Sequence, residues 1–222
     1  LMKNKFKVAC FQTSSSDIPE ENIAMLEKIF SNFKEKSVDL ICLPECVSIF
    51  TDSKKLMDDY IKNWHHIFLE FIKNKSREVK SYILIGSYPY KKNSKKFLNR
   101  SILINKNGEI ISHYDKINLF DVSLAKSENY LESKNFDSGK RLNLIELPWG
   151  NLGMSICYDI RFPNLYRKLA KKGADFFSIP AAFTFTTGAS HWHTLIRARA
   201  IENGCYIFAP AQCGTHRNGR KT

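Results

Sequence analysis

The chain has 222 residues, 43% of them hydrophobic and 25% charged, and a formal net charge of +12 at pH 7. These proportions are ordinary for a soluble globular protein, and the length allows one well-filled domain or two small ones. No apolar run approaches the ~20 residues needed to cross a bilayer, so we expect no membrane-spanning segment and no membrane partner.

The positive net charge raises the question of a nucleic-acid partner. The excess is mostly lysine, spread in short groups such as 54–55, 91–92 and 171–172. Neither aromatic platforms nor arginine forks are interleaved with these lysines, so we expect a solvated basic surface and no nucleic-acid partner. Such a surface would still attract anionic substrates.

Six cysteines stand at irregular spacing, and the first residues lack the apolar core of a signal peptide. Both features fit a reducing compartment better than a disulfide framework. We therefore expect six free thiols and a cytoplasmic location.

The first half of the chain alternates strands with helices, as judged from apolar runs and helical spacing. The predicted strands are 5–12, 38–43 and 81–87, and the predicted helices are 19–36 and 54–77. A hairpin follows, with strands 97–104 and 109–114 around Asn107-Gly108, a dipeptide that favours tight hairpin turns.

The second half opens with a polar stretch, Asp121 to Lys140, which we interpret as a long loop. The predicted strands that follow are 141–147, a strand running from Gly150 into Cys157, 175–179 and 205–212, and the predicted helices are 163–173 and 188–203. Strands that alternate with helices predict an α/β fold in which helices cover sheet layers. The pattern alone leaves open a doubly wound sheet or a layered sandwich. With no internal repeat and no linker, residues 1–222 are predicted to form a single domain.

Three candidate reactive residues lie just past the ends of predicted strands, where α/β sheets bind ligands. Cys157 stands at an elbow before Pro163, which suits the first position of a helix. It could act as an acyl-transfer nucleophile, with the Tyr158 N–H as an oxyanion donor. Glu45 would take the thiol proton, and Lys116 would stabilise the oxyanion. Taken singly, the three could equally be a loop carboxylate, a surface lysine and a small buried hydrophobe.

Three segments together resemble the signature blocks of the nitrilase superfamily of carbon–nitrogen hydrolases. They are Leu43-Pro44-Glu45, the run from Tyr114 to Val122 and the run from Ile156 to Pro163, in the order that the family has them. The resemblance covers essentially the whole chain. It implies a triad of Glu45, Lys116 and Cys157 in a four-layer α-β-β-α sandwich. It also implies hydrolysis of a non-peptide amide bond through a thioester, with ammonia release and no cofactor.

The segment from Cys157 to Pro163 resembles the Nit-type amidases within this superfamily. That branch implies a small anionic substrate, such as the amide of an α-keto acid analogue of glutamine or of a glutamine-derived peptide. An omega-amidase or an N-carbamoyl amide hydrolase of the same fold remains an alternative. A non-catalytic basic binding protein is the alternative from another class. The branch also implies a second active-site glutamate, Glu132 by its position after the lysine block, with Glu128 left open.

Several further residues accompany these blocks. Phe183, Thr184 and Thr187, in a predicted loop after strand 175–179, are candidates for the substrate pocket or for packing. We expect Asp159 and Arg161 to stabilise the elbow through a buried ion pair. The helix around Arg197, Arg199 and Glu202 is interpreted as scaffold. Cys42 and Cys46, even with His191 and His193, lack the spacing of a metal site, and we predict no metal.

Two departures from the family pattern concern Asn118 and the end of the chain. Asn118 occupies a position where the family has histidine, which predicts an altered contact around the site rather than altered chemistry. The family pattern continues beyond Thr222, so we expect the sandwich to lack its C-terminal strands in this chain. The family also implies a homodimer or a higher homo-oligomer.

Overall fold

A computed structural model describes residues 5–33, 38–91, 94–125 and 128–222. The strands are β1 Val8–Cys10, β2 Leu40–Cys42, β3 Tyr82–Tyr90, β4 Leu98–Ile104, β5 Ile110–Asp115, β6 Asp121–Ala125, β7 Glu128–Leu131, β8 Asn143–Leu147, β9 Gly150–Met154, β10 Phe176–Ser178 and β11 Tyr206–Phe208. The α-helices are α1 Pro19–Phe30, α2 Lys54–Asp59, α3 His65–Val79, α4 Pro163–Lys171 and α5 Phe185–Asn203.

Two sheets form the centre of the molecule. The first has the order β1-β2-β3-β4-β5, with β1 to β3 parallel and β3 to β5 antiparallel. The second has the order β11-β10-β9-β8, parallel except for the antiparallel pair β8 and β9. Both sheets carry parallel strands joined through helices, as the alternating pattern predicts.

The side chains of β2 show how the layers stack, because successive residues of a strand face opposite sides of the sheet. Ile41 packs with α1 and α3 in one apolar cluster. Leu40 and Cys42 belong to a second cluster that contains β9, β10 and α4. Helices therefore cover the outer face of each sheet, and the two inner faces pack together. This arrangement confirms the four-layer α-β-β-α sandwich.

The polar stretch from Asp121 to Lys140 is not a long loop, and that prediction is wrong. Strands β6 and β7 pair antiparallel across a short connection, and a single 3₁₀ turn, Glu132–Lys134, follows. The segment lacks an Asn-Gly turn and a long apolar alternation, so it carries no strong hairpin signal. Its backbone is tied to the block that contains Lys116, since Glu132 N–H donates to the Phe120 carbonyl oxygen at 3.2 Å.

Helix and strand bounds differ at several ends. The predicted helix 54–77 runs to Val79 and contains a π-helical turn at Tyr60–Trp64. The predicted helix 19–36 ends at Phe30, and its residues 34–36 lie outside the described ranges. Helix α5 begins at Phe185, not at residue 188, so Thr187 lies in its first turn. Within the described ranges, no helix is both long enough and apolar enough to cross a membrane.

Candidate active site

Glu45 lies in the loop after β2 and is 4% exposed. A neighbouring backbone confines this loop, because a Cβ at Gly86 would lie 2.1 Å from the carbonyl oxygen of Leu43. Only glycine allows that approach. Gln212 Nε2 donates to the Glu45 carbonyl oxygen at 2.9 Å, and Cys46 N–H donates to a side chain of β3. The loop therefore presents the Glu45 carboxylate in one orientation.

Lys116 follows β5 directly and is 2% exposed. Its N–H donates to the Asn99 carbonyl oxygen at 2.9 Å, which continues the β4–β5 ladder by one residue. Its Nζ lies 3.0 Å from Glu45 Oε1 and 3.0 Å from Glu132 Oε2. The ammonium thus bridges two carboxylates from distant parts of the chain.

Cys157 begins a 3₁₀ helix, Cys157–Arg161, and two residues separate it from the end of β9. Its φ of 46° is in the left-handed region, which is unusual for a residue with a side chain. Its N–H donates to the Pro180 carbonyl oxygen at 2.9 Å, and its side chain lines the same cavity as Glu45. The first N–H groups of a helix have no partner inside that helix, which leaves the Tyr158 N–H at the start of this turn beside the thiol.

Asp159 stabilises the elbow, but not through the ion pair with Arg161 that we predicted. The buried Asp159 carboxylate accepts hydrogen bonds from the Ile156 N–H at 2.9 Å and the Tyr114 hydroxyl at 2.8 Å. Its other oxygen accepts from the backbone N–H and the side-chain amide of Asn118. These four neutral donors satisfy the carboxylate, so a cation is not needed there. The departure at Asn118 therefore falls on a residue that contacts the elbow and not the reacting groups.

Arg161 lies outside that network and points to the start of α5. Its Nη2 is 3.3 Å from His191 Nδ1, and its guanidinium lies 5.3 Å from the ring centroid of Phe183. The expected scaffold role on α5 does appear at Arg199, which donates to the Ile160 carbonyl oxygen and pairs with Glu202 at 2.9 Å.

The second glutamate at Lys116 is Glu132. Its Oε2 accepts from the Phe120 N–H at 2.7 Å, so the carboxylate is bound by backbone as well as by the ammonium. The side chain of Glu128 lies outside the described residues.

Asn99 is a site residue that our sequence reasoning missed. Its Nδ2 lies 3.0 Å from Glu45 Oε1 and 3.0 Å from Glu132 Oε1, so one amide group joins both carboxylates. A signal was present, because asparagine is disfavoured in strands and a buried one needs hydrogen-bond partners. The sequence could not show which partners those are.

The charges of the cluster decide its resting protonation state. Burial raises the pKa of Glu45, but the Lys116 ammonium and hydrogen bonds from Cys157, Lys116 and the Ala182 N–H outweigh burial and lower it. Burial lowers the pKa of Lys116, but Glu132 and Glu45 raise it well above its usual range. Burial and the Glu45 charge raise the pKa of the Cys157 thiol. At neutral pH the site therefore holds a neutral thiol beside an ionised carboxylate.

A cavity of about 570 Å³ lies over these groups. The residues that line it include Glu45, Lys116, Glu132, Cys157, Tyr158, Phe183, Thr184, Thr187 and Arg220. All of the sequence-predicted site residues therefore lie at one cavity. Thr184 and Thr187 hydrogen-bond to each other at 2.7 Å across the start of α5, so Thr187 belongs to a helix and not to a loop.

The known proteins that this chain resembles agree on one family. The carbon–nitrogen hydrolase family model matches residues 7–222. The chain belongs to the carbon–nitrogen hydrolases. A deaminated glutathione amidase from Yersinia enterocolitica is 34% identical over 224 residues, which span all of this chain and 78% of that protein. An omega-amidase NIT2 from Xenopus tropicalis is 30% identical over 203 residues, 91% of this chain and 73% of that protein.

Solved structures give the same result for the fold. The NitFhit protein of Caenorhabditis elegans superposes with a TM-score of 0.91 at 32% identity, over 98% of this chain and 53% of that one. Nit3 of Saccharomyces cerevisiae superposes with a TM-score of 0.79 at 29% identity, over 94% of this chain and 76% of that one. This carbon–nitrogen hydrolase is an enzyme that acts on amides, with the nitrilase fold.

Two other sequence-based predictions concern cysteine and metal chemistry. All six cysteines are free thiols, as predicted. In the part of the chain that the structure describes, no group of three or more His, Cys, Asp or Glu side chains is arranged to hold a metal ion. That the reaction needs no metal and no cofactor stays a prediction.

Proposed function

We propose that this carbon–nitrogen hydrolase cleaves a small anionic amide through a thioester on Cys157. The observation that carries the proposal is the cluster of Cys157, Glu45 and Lys116 at one cavity, where Lys116 Nζ lies 3.0 Å from Glu45 Oε1 and the Glu45 charge acts on the Cys157 thiol. A neutral thiol is a poor nucleophile unless a base takes its proton as it attacks. Glu45 is placed to be that base, and its lowered pKa keeps it ionised at neutral pH.

In the first half of the reaction, Cys157 Sγ bonds to the amide carbon while its proton passes to Glu45. The Lys116 ammonium and the Tyr158 N–H donate to the oxyanion that forms. When the tetrahedral intermediate collapses, the C–N bond breaks and the nitrogen leaves with the proton that Glu45 held. The acyl group remains on Cys157 as a thioester.

In the second half, water attacks the thioester carbon and gives a proton to Glu45. The same two donors bind the new oxyanion. The C–S bond then breaks, the sulfur takes the proton back from Glu45, and the carboxylic acid product leaves. Glu132 holds the Lys116 ammonium in place through both halves, which makes it a positioning residue in this scheme.

We propose an α-keto acid amide as substrate, with deaminated glutathione as the leading candidate. A basic protein surface and the names of the relatives support this choice. Deaminated glutathione carries cysteinylglycine on its amide nitrogen, so its hydrolysis releases that dipeptide. The expectation of ammonia release therefore applies only to unsubstituted amides such as α-ketoglutaramate.

The test is to trap the thioester. Acid-quenched protein treated with deaminated glutathione or α-ketoglutaramate should gain the mass of one α-ketoglutaryl group, and hydroxylamine should remove it. Cys157→Ala should gain nothing. Cys46→Ala is the matched control, because Cys46 is the second thiol at the cavity and burial raises its pKa. Acylation that persists in Cys157→Ala and disappears in Cys46→Ala would refute the proposal.

The pH profile of kcat/KM is a separate prediction. Because the Glu45 pKa is lowered, the base stays ionised until the pH falls below the usual glutamate range, about 4.3. Because the Cys157 pKa is raised, the thiol does not ionise between about pH 6 and 8.5. We therefore expect a flat profile over that range. A tenfold rise per pH unit would mean that a preformed thiolate is the nucleophile, and would contradict the assignment of Glu45 as base.

A further inference from the structure

Arg220 contributes a guanidinium to the border of the active-site cavity, and none of the reaction steps above uses it. It lies in the segment 214–222, where backbone hydrogen bonds join Gly214 to Thr222 in both directions. His216 anchors this segment to the body of the protein. Its ring stacks on Phe50 with centroids 3.7 Å apart, and its Nδ1 is 2.8 Å from the Ser15 carbonyl oxygen. The position of Arg220 is therefore set by packing.

The guanidinium itself is oriented by two rings and one carbonyl group. Its central carbon lies 5.3 Å from the ring centroid of Phe50 and 5.0 Å from that of Tyr130. Its Nη2 donates to the Ala182 carbonyl oxygen at 2.5 Å. The N–H of the same residue, Ala182, donates to Glu45 Oε2 at 2.7 Å. One residue thus connects the guanidinium to the carboxylate that faces the nucleophile.

Arg220 makes no ion pair with any residue that the structure describes. Other arginines pair with carboxylates: Arg100 with Asp115, Arg199 with Glu202 and Arg217 with Glu21. Among the described residues no carboxylate lies within ion-pair distance of Arg220, and its Nε is buried without a hydrogen-bond partner.

The reacting groups carry an excess of negative charge. Glu45 and Glu132 share one ammonium, Lys116, so the cluster keeps one net negative charge. Without a nearby cation, that charge would repel an anionic substrate. Besides Lys116, which is already paired with both carboxylates, the described cations that line the cavity are Arg220 and Lys134. Arg220 is held in place by its contacts, whereas Lys134 is exposed. A carboxylate is the ligand that a planar guanidinium binds best.

We infer that Arg220 binds the carboxylate on the acyl chain of the substrate while the amide carbon lies at Cys157. This inference rests on the proposed function and assigns to Arg220 the recognition of the second carboxylate of a dicarboxylic acid mono-amide. Arg220 is then a specificity-determining residue. Arg220 also borders a second cavity of about 480 Å³. An acyl chain whose carboxylate binds the guanidinium would end there and leave this second cavity empty.

The test compares glutaramate with its methyl ester, which has the same length and no charge. Arg220→Gln should lower kcat/KM for glutaramate about 50-fold, mainly through KM, as expected for the loss of a charged hydrogen bond. It should change kcat/KM for the ester less than about threefold. Arg220→Lys keeps the charge but not the planar guanidinium, so its kcat/KM for glutaramate should lie between those of the wild type and Arg220→Gln. Arg217→Gln is the matched control, because Arg217 lies in the same segment but pairs with Glu21 on the surface.

Equal losses on the acid and the ester, in a variant that unfolds at the wild-type temperature, would show that Arg220 is structural and overturn the inference. If Arg220→Gln does not fold, Arg220→Lys carries the same comparison. Calorimetric titration of glutarate into Cys157→Ala, with and without Arg220→Gln, separates this inference from the proposed function. If glutarate binding to Cys157→Ala depends on Arg220 but the wild-type protein hydrolyses none of the amides, the anchor is supported and the proposed function is refuted. If the wild-type protein hydrolyses the amides but glutarate binding does not depend on Arg220, the proposed function is supported and the anchor is refuted.

Discussion

Glu45→Gln is expected to lower kcat by about 10³-fold, because it removes the base that takes the thiol proton. Glutamine has the volume of glutamate and can still accept hydrogen bonds from Asn99 and Lys116 through its carbonyl oxygen. It cannot accept a proton from sulfur at neutral pH. Turnover of the best amide substrate, measured at saturation, is the direct readout.

A second readout shows whether Glu45 acts on the thiol or only supports the loop. The Glu45 charge raises the pKa of Cys157, and Lys116 lowers it. Removal of the negative charge should therefore lower the thiol pKa, and the pH dependence of iodoacetamide alkylation at Cys157 should shift downward. Glu27→Gln, which alters an exposed carboxylate paired with Lys75, is the control and should change neither quantity. A Glu45→Gln enzyme within tenfold of wild-type turnover would contradict the assignment.

Lys116→Met is expected to lower turnover by about 10²- to 10³-fold and also to lower the free energy of unfolding by about 3–5 kcal/mol. The catalytic part comes from the loss of an oxyanion donor, which costs about 10²- to 10³-fold. The stability part comes from the buried Glu45 and the partly buried Glu132, two carboxylates that would lose the ammonium between them. Urea unfolding at pH 7 and steady-state kinetics measure the two parts separately.

The pH dependence of this defect has a definite sign. Without Lys116 the folded-state pKa of one carboxylate rises above its unfolded value, so its destabilising effect is present at neutral pH and disappears as the pH falls through that raised pKa. The double variant Lys116→Met/Glu132→Gln should recover most of the stability and none of the turnover. Lys134→Met, at the exposed lysine of the same cavity, is the control. A stable Lys116→Met protein at pH 7 would mean that the ammonium does not balance these carboxylates.

Arg220 shows what residue type alone leaves undecided. In the sequence it is one of 34 lysines and arginines. Its role depends on Phe50, Tyr130 and Ala182, which lie far from it in the chain and contact its guanidinium only after folding. Asn99 is a similar case, since its two carboxylate partners come from loops 54 and 33 residues away.

Local signals were sufficient where the structure depends on nearby residues. The sequence by itself determined the order of strands and helices outside the stretch 121–140, the Asn107-Gly108 hairpin, the helix that begins at Pro163 and the elbow at Cys157. Turn chemistry and apolar periodicity act over a few residues, so these features could be predicted. Through its three blocks it also indicated the family and the residues Glu45, Lys116, Glu132 and Cys157.

Only the tertiary structure decided how those residues meet. Lys116 and Glu45 are 71 residues apart and lie 3.0 Å from each other, and Asp159 is bound by neutral donors from the Lys116 block instead of by Arg161. The hairpin of β6 and β7 likewise formed without a strong local signal. For the Lys116–Glu45 pair and for Asp159, the deciding free energy comes from burying polar groups that must find partners, and those partners lie on other strands and loops whose distance no local pattern records.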